Sequence, residues 1–292
     1  MPLRSASLPE TLAVILNDEN TEVLIVTGAG LSKASGVPLY RSESGQADPF
    51  YERCGRRQAF LADPEAAWGH WRHIHDTPAW RNAQPNVGHF ALSVLAEHGN
   101  GRIKIITQNV DGLLVQAGCP SDHVIEIHGR LGAFRCSNTT CHRSTRDPIV
   151  DTQHRSCPDC GTEALLPLVL LFDESLGFHQ EDECHKAFQA HKAQEWMRWA
   201  DVLLLVGTSC STQATDRALE LASKRHVPIW IINPASVQPL EYNTYGPPGC
   251  RPSTEEVDGR CVRHIRERVE DIAMRLLPND DLRAHVNARM AA

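Results

Sequence analysis

The chain lacks several things that would each have pointed to a class of protein. It has no basic excess: 29 Lys and Arg stand against 36 Asp and Glu, a net charge of −7. General nucleic-acid affinity is built on cationic surface, so direct nucleic-acid binding is not expected. No run of about 18 apolar residues occurs, which argues against a membrane-spanning helix. Met1-Pro-Leu-Arg-Ser-Ala-Ser-Leu-Pro9 has a single basic residue and no apolar stretch ahead of a cleavage site. The expected setting is therefore the cytoplasm. No internal repeat or low-complexity tract stands out either.

What is present is enough apolar material for a packed core, 41% of 292 residues. Four continuous apolar stretches, at Val23 to Thr27, Ile103 to Thr107, Val202 to Val206 and Ile229 to Ile232, read as strands buried on both faces. Helical patterns lie between them at Asn86 to Glu97, around Glu195 to Ala200, and at Thr215 to Arg225. That alternation predicts an α/β fold, a Rossmann-like doubly wound parallel sheet whose ligands gather at the carboxyl ends of the strands. Polar residues stand at those ends: Gly28 and Ser32, then Gln108, Asn109 and Asp111, then Thr208 and Ser209, then Asn233.

Two regions break the rhythm. Residues 132–164 are rich in Cys, Ser, Thr, Asp and Pro with no apolar period, and residues 45–84 form an aromatic-bearing insertion expected to be helical and to pack beside them. The expected division gives 1–44, 85–131 and 165–292 to the Rossmann-like part and 132–164 to a small separate module, packed with the insertion 45–84. Pro234 to Gly259 reads as a long loop, followed by a closing helix from about Val262.

Ten cysteines without a secretory signal favour metal or catalysis over a disulfide framework. Cys136-x4-Cys141, fifteen further residues and then Cys157-Pro-Asp-Cys160 give two close thiolate pairs, the two-knuckle spacing of a tetrahedral zinc site. Four thiolates close the shell, so a single structural Zn2+ is expected. The remaining cysteines, Cys54, Cys119, Cys184, Cys210, Cys250 and Cys261, have no paired spacing and read as small packing residues.

Gly28-Ala29-Gly30-Leu-Ser32 after a strand can cradle phosphate at a helix start. The dinucleotide fingerprint of dehydrogenases wants a third glycine where Lys33 stands, and no acidic residue closes a second strand about twenty positions on. Thr107-Gln-Asn-Val-Asp-Gly112 sets an amide and a carboxylate two apart, suited to a carboxamide ligand or simply to an Asn-Asp-Gly turn. Ile125-Glu-Ile-His128-Gly129 places one histidine at a strand end, where it can serve as a general base or be structural.

In their order, GAGLSKASGVPLYR (Gly28 to Arg41), TQNVDGL (Thr107 to Leu113), IHG (Ile127 to Gly129), the four cysteines, VGTS (Val206 to Ser209) and INP (Ile232 to Pro234) resemble the sirtuin family of NAD-dependent protein deacylases. The resemblance implies that NAD is consumed. The acyl oxygen of a modified lysine attacks the ribose carbon as nicotinamide leaves, and the acyl group ends on ADP-ribose. It further implies that His128 is the general base, joined in the catalytic set by Asn109 and Asp111. Gly28, Ala29, Gly30 and Ser32 would hold pyrophosphate; Tyr40 and Arg41 would sit in a cofactor loop; Gln108, Asn109 and Asp111 would line the nicotinamide side. Gly207, Thr208 and Ser209 would contact phosphate and adenosine ribose, with Asn233 nearby. Acyl-lysine proteins would be the substrates.

This chain also differs from the family pattern. Leu39-Tyr40 replaces the usual Asp-Phe before the arginine, and Leu114 replaces a histidine. Leu166-Pro-Leu-Val-Leu-Leu-Phe-Asp-Glu174 replaces the substrate strand Arg-Pro-x-Val-Val-x-Phe-Gly-Glu, so that Asp173 stands at the glycine beside which an acyl-lysine peptide adds as a strand. The Tyr-x-x-Arg pair associated with acidic acyl chains is not evident among Trp68 to Arg81. Two other expectations are therefore carried alongside deacylation: a sirtuin-like ADP-ribosyltransferase or NAD glycohydrolase, and a non-catalytic NAD or ADP-ribose-binding protein.

Overall fold

The computed structural model describes residues 7–39, 55–138, 140–141, 156–163, 165–177, 188–235 and 262–292. The four apolar stretches are strands with the bounds the sequence implies: β1 (Val23–Thr27), β2 (Ile103–Thr107), β6 (Val202–Val206) and β7 (Ile229–Ile232). Short β3 (Val124–Glu126) and β8 (Val262–Ile265) extend them into a six-stranded sheet of order β3-β2-β1-β6-β7-β8. Every pairing in it is parallel. Such strands need cover on both faces. One face packs under α1 (Leu8–Asn17), α5 (Val87–His98), α9 (Val269–Leu276) and α10 (Asp280–Ala291), the other under α7 (Ala190–Trp199) and α8 (Gln213–Lys224).

The expectation of a helix from about Val262 is corrected. Val262 to Ile265 is a strand, in register with β7 from Ile229↔Val262 to Ile232↔Ile265. Ile265 is buried in the core while the guanidinium of Arg263 lies 4.8 Å from the Trp230 ring centroid, so the segment is half apolar and half polar as an edge strand can be. The closing helices start only at Val269.

Chain order reverses between β1 and β6, each of which leads its loop out at the same sheet end. That crevice is where open α/β sheets bind ligands. Between β3 and β6 the chain leaves the sheet to form an antiparallel pair, β4 (Gly129–Cys136) and β5 (Leu165–Val169). Helices α2 (Arg57–Ala62), α3 (Pro64–His75) and α4 (Pro78–Arg81) precede α5, and the single turn α6 (Leu113–Gln116) follows β2. Phe60 and Ala67 of this helical set share a buried cluster with Leu166 and Leu171, and the Trp68 indole N–H donates to the Leu165 carbonyl at 3.1 Å.

Candidate functional site

Three glycines bring two strand ends into backbone contact. The N–H of Gly28 donates to Val206 O and that of Gly30 to Gly207 O, at 3.0 and 2.8 Å. A Cβ on Gly30 would lie 2.7 Å from Gly207 O, and one on Gly207, whose φ is +59°, would lie 2.5 Å from Leu31 N. Only glycine permits this approach. The N–H groups of Gly28 and Gly30 are thus committed to the protein, and what these residues supply is an unobstructed floor beside the 3-10 turn Ala29–Ser35.

Behind that floor lies a saturated polar cluster. Ser32 is fully buried; its hydroxyl donates to Asp111 Oδ2 at 2.6 Å and accepts from Asn109 Nδ2 at 3.0 Å. Asn109 Nδ2 also donates to Gly28 O at 3.1 Å, tying the second strand end to the first. Buried His89 completes the cluster, with Nε2 at 3.3 Å from Ser32 Oγ. Its Nδ1 accepts from the backbone N–H of Asn86, so the proton sits on Nε2 and points at Ser32. Burial pushes the His89 pKa down to about 4, so the ring is neutral. Burial raises the Asp111 pKa, against the opposing hydrogen bonds from Ser32 and the Leu113 N–H.

Replacing Ser32 with alanine leaves Asp111 without its 2.6 Å donor. An orphaned buried acceptor costs about 1–3 kcal/mol. The expected result is a lowered melting temperature together with weakened nucleotide binding by calorimetry. Unchanged binding in a stable variant would remove Ser32 from the site.

His128 follows β3 and is half-buried. Its Nδ1–H donates to the Gln108 carbonyl at 3.0 Å, which leaves Nε2 proton-free. Burial pushes its pKa down to about 4, with the Gln108 hydrogen bond opposing. The Gln108 carboxamide is braced in turn: Nε2 donates to Thr208 Oγ1 at 3.2 Å and Oε1 accepts from Thr212 Oγ1 at 2.6 Å. Asn233 Nδ2 donates to Thr208 O at 2.9 Å, and the Ser209 hydroxyl lies exposed 2.8 Å from that of Ser211. All the strand-end residues singled out in the sequence therefore converge on one crevice, except Tyr40 and Arg41, which lie outside the described residues.

Three contributors were not singled out in the sequence. His89 and Asn86 carry a local signal, because Asn86 caps α5 by accepting from the Gly88 and His89 N–H groups. Thr212 likewise caps α8 through the Thr215 N–H. In each case the cap is legible and the second bond, to Ser32 or Gln108, is not.

Away from the crevice, Cys136, Cys141, Cys157 and Cys160 bring their Sγ atoms within 4.8 Å of one another. The Cys136–Cys160 and Cys141–Cys157 pairs stand 3.5 and 3.8 Å apart. A tetrahedron with Zn–S bonds of about 2.3 Å requires sulfurs about 3.8 Å apart, so the four thiols fit a structural zinc with no open position. Asp173, at the position of the substrate-strand glycine, accepts from the backbone N–H groups of Arg57 and Gln58 at 2.5 and 3.0 Å and so caps α2. No helix among the described residues is long and apolar enough to cross a membrane.

Comparison with known proteins agrees with this architecture. The chain is 34% identical over 246 residues to NAD-dependent protein deacylase 1 of Pseudomonas aeruginosa, covering 78% of this chain and 90% of that one. It is 31% identical over 219 residues to NAD-dependent deacetylase sir2E of Dictyostelium discoideum, covering 68% of this chain but only 61% of that longer relative. The fold matches the crystal structure of a Sir2 homologue in complex with NAD, with a TM-score of 0.66, 26% identity and coverage of 97% and 96% of the two chains. A model of the Sir2 family matches residues 28–214, and the chain belongs to that family.

Proposed function

We propose that this protein is an NAD-dependent protein-lysine deacylase that cleaves NAD to nicotinamide and transfers the acyl group to ADP-ribose. The observation that carries the reading is His128. Its Nδ1–H is spent on Gln108, its Nε2 is free to take a proton, and it stands at the crevice between the reversed strand ends. NAD, bound as co-substrate, supplies a ribose carbon activated by the departing nicotinamide.

The chain's own residues then divide the work. Gly28, Ala29 and Gly30 give the pyrophosphate close access to backbone, with Ser32 fixing Asp111 from behind. Gln108, Asn109 and Asp111 shape the nicotinamide side, and Tyr40 and Arg41 belong to the loop that covers it. Gly207, Thr208, Ser209 and Asn233 take the adenosine side. His128 is the base that removes a ribose hydroxyl proton, while Asn109 and Asp111 act with it. Division into a Rossmann-like part (1–44, 85–131, 165–292) and a zinc module (132–164) packed with the insertion 45–84 fits the excursion of the chain between β3 and β6. We place the protein in the cytoplasm, where thiols stay reduced and available to a metal.

Incubation with NAD and a panel of acetyl- and longer-acyl-lysine peptides tests this. Nicotinamide release that requires peptide, with acylated ADP-ribose in the mass spectrum, is the expected result. The capping role of Asp173 favours one second reading, ADP-ribosyl transfer or plain NAD hydrolysis. Peptide-independent consumption of NAD, or ADP-ribose left on protein, would select it.

A further inference from the structure

On the deacylase reading, the substrate side of the cleft is the segment that continues from the end of β5. The Leu170 N–H donates to the carbonyl of His128 itself, at 2.9 Å, so the wall leaves the sheet already tied to the backbone of that residue. A few residues on, the wall meets α8. The Leu176 N–H and the Ser175 hydroxyl both donate to Oε1 of Gln213, each at 3.1 Å, and the Gly177 N–H donates to Ser175 Oγ at 3.2 Å. Leu176 is fully buried, whereas Ser175 and Gln213 face the solvent.

The residue before Gln213 makes the complementary contact. Thr212 Oγ1 donates to Gln108 Oε1 at 2.6 Å, and the Gln108 carbonyl receives His128 Nδ1–H. Two adjacent side chains at the start of one helix thus reach in two directions, toward the wall and toward the histidine. In the first contact the carboxamide of Gln213 serves purely as an acceptor. In the second the Thr212 hydroxyl serves as donor.

We propose that Thr212 and Gln213 are positioning residues that hold the acyl-lysine wall at Ser175–Leu176 in register with His128. An acyl-lysine peptide adding along this wall as a strand depends on its main-chain groups being aligned. The acyl oxygen and the base must also be held in one frame, since a misplacement of about 1 Å can cost a hundredfold in rate. The inference rests on the deacylase reading for its kinetic consequence and on the hydrogen bonds alone for its structural one.

Both consequences are measured on the full-length chain. In hydrogen–deuterium exchange without ligand, Gln213→Met should speed exchange of fragments covering 171–177 by about tenfold, the loss of one acceptor worth about 1.4 kcal/mol. Gln213→Glu, which keeps the acceptor, should exchange like the wild type. In turnover with NAD and acetyl-lysine peptide, Gln213→Met should raise the peptide KM by about tenfold and move kcat and the NAD KM by less than about twofold. Thr212→Val should do the reverse, lowering kcat at a preserved peptide KM, and Thr212→Ser should restore it. Exchange at 171–177 that is unaltered by Gln213→Met overturns the clamp whatever the activity. Equal changes in peptide and NAD KM overturn the positioning role. Peptide-independent NAD cleavage by the wild type instead defeats the deacylase reading, and the exchange result still decides the clamp.

Discussion

His128→Ala is expected to lower kcat for peptide-dependent nicotinamide release by about a hundredfold to ten-thousandfold, the usual contribution of a positioned general base. Binding of NAD to the variant should change little, because the ring contacts the protein through the Gln108 carbonyl and leaves the glycine floor intact. The pH dependence sharpens the test. Burial holds His128 near a pKa of about 4, so at neutral pH the base is already unprotonated. A solvent-like histidine would begin to lose base activity below about pH 6.5. Here the free-enzyme acid limb of kcat/KM should instead extend toward pH 4.

The same depression has a stability sign. The folded pKa lies below the unfolded one, so His128 contributes stability that is present above about pH 6.5. It is lost as pH falls through about 4, and half-buried His75 and buried His89 act in the same direction. Thermal melting should therefore decline across that window, less steeply in His128→Ala. A variant that retains full peptide-dependent turnover would eliminate His128 as the base.

The parts of this protein that were readable in advance are those determined by local chemistry. β1, β2, β6 and β7 are continuous apolar runs because a two-sided sheet interior admits nothing else, and each run stops where its strand stops. The cysteine tetrad was readable because each pair of ligands sits on one short turn. β8 was not, because Val262-Arg-His-Ile265 is an edge strand whose polar residues break the run, and its Arg263 guanidinium lies over the ring of Trp230 on β7.

The site residues were readable as positions but not as partners. Ser32 looks like a phosphate ligand in the sequence, yet its hydroxyl is filled by Asp111, 79 residues away, and Asn109, 77 residues away. His89 meets it across 57 residues and Thr212 meets Gln108 across 104. No periodicity encodes such bonds; they exist only because the sheet order places β1 between β2 and β6. Asp173 illustrates the converse. In the sequence it is a glycine lost from a substrate strand, whereas in the fold it is a helix cap reaching back 116 residues to Arg57.

Cys157→Ala is expected to release the zinc and dissolve the β4–β5 module while sparing the six-stranded sheet. Among the described residues, the buried cluster of that module consists of Cys136, Cys141, Cys157 and Leu165, with Phe134 packed against it, so three of its four buried members are ligands. Structural zinc sites of this kind contribute about 10–16 kcal/mol of apparent binding free energy, far more than so small an apolar cluster can replace. Mass spectrometry of the native protein should find one zinc per chain, and the variant none. Damage should spread along defined bonds. Arg57 Nη2 donates to the carbonyl of Ser137, next to the first ligand, and Arg135, immediately before that ligand, pairs with Glu174 beyond the groove strand. Loss of the metal should therefore expose β4 and β5 to protease and raise the peptide KM. The far-UV signal of the parallel sheet and the affinity for NAD should survive, because the glycine floor, Ser32 and Asn109 bond to the strand ends and to His89 of α5 rather than to the thiols. Native protease resistance of β4 and β5 after chelation or substitution would show that the module holds together without a metal.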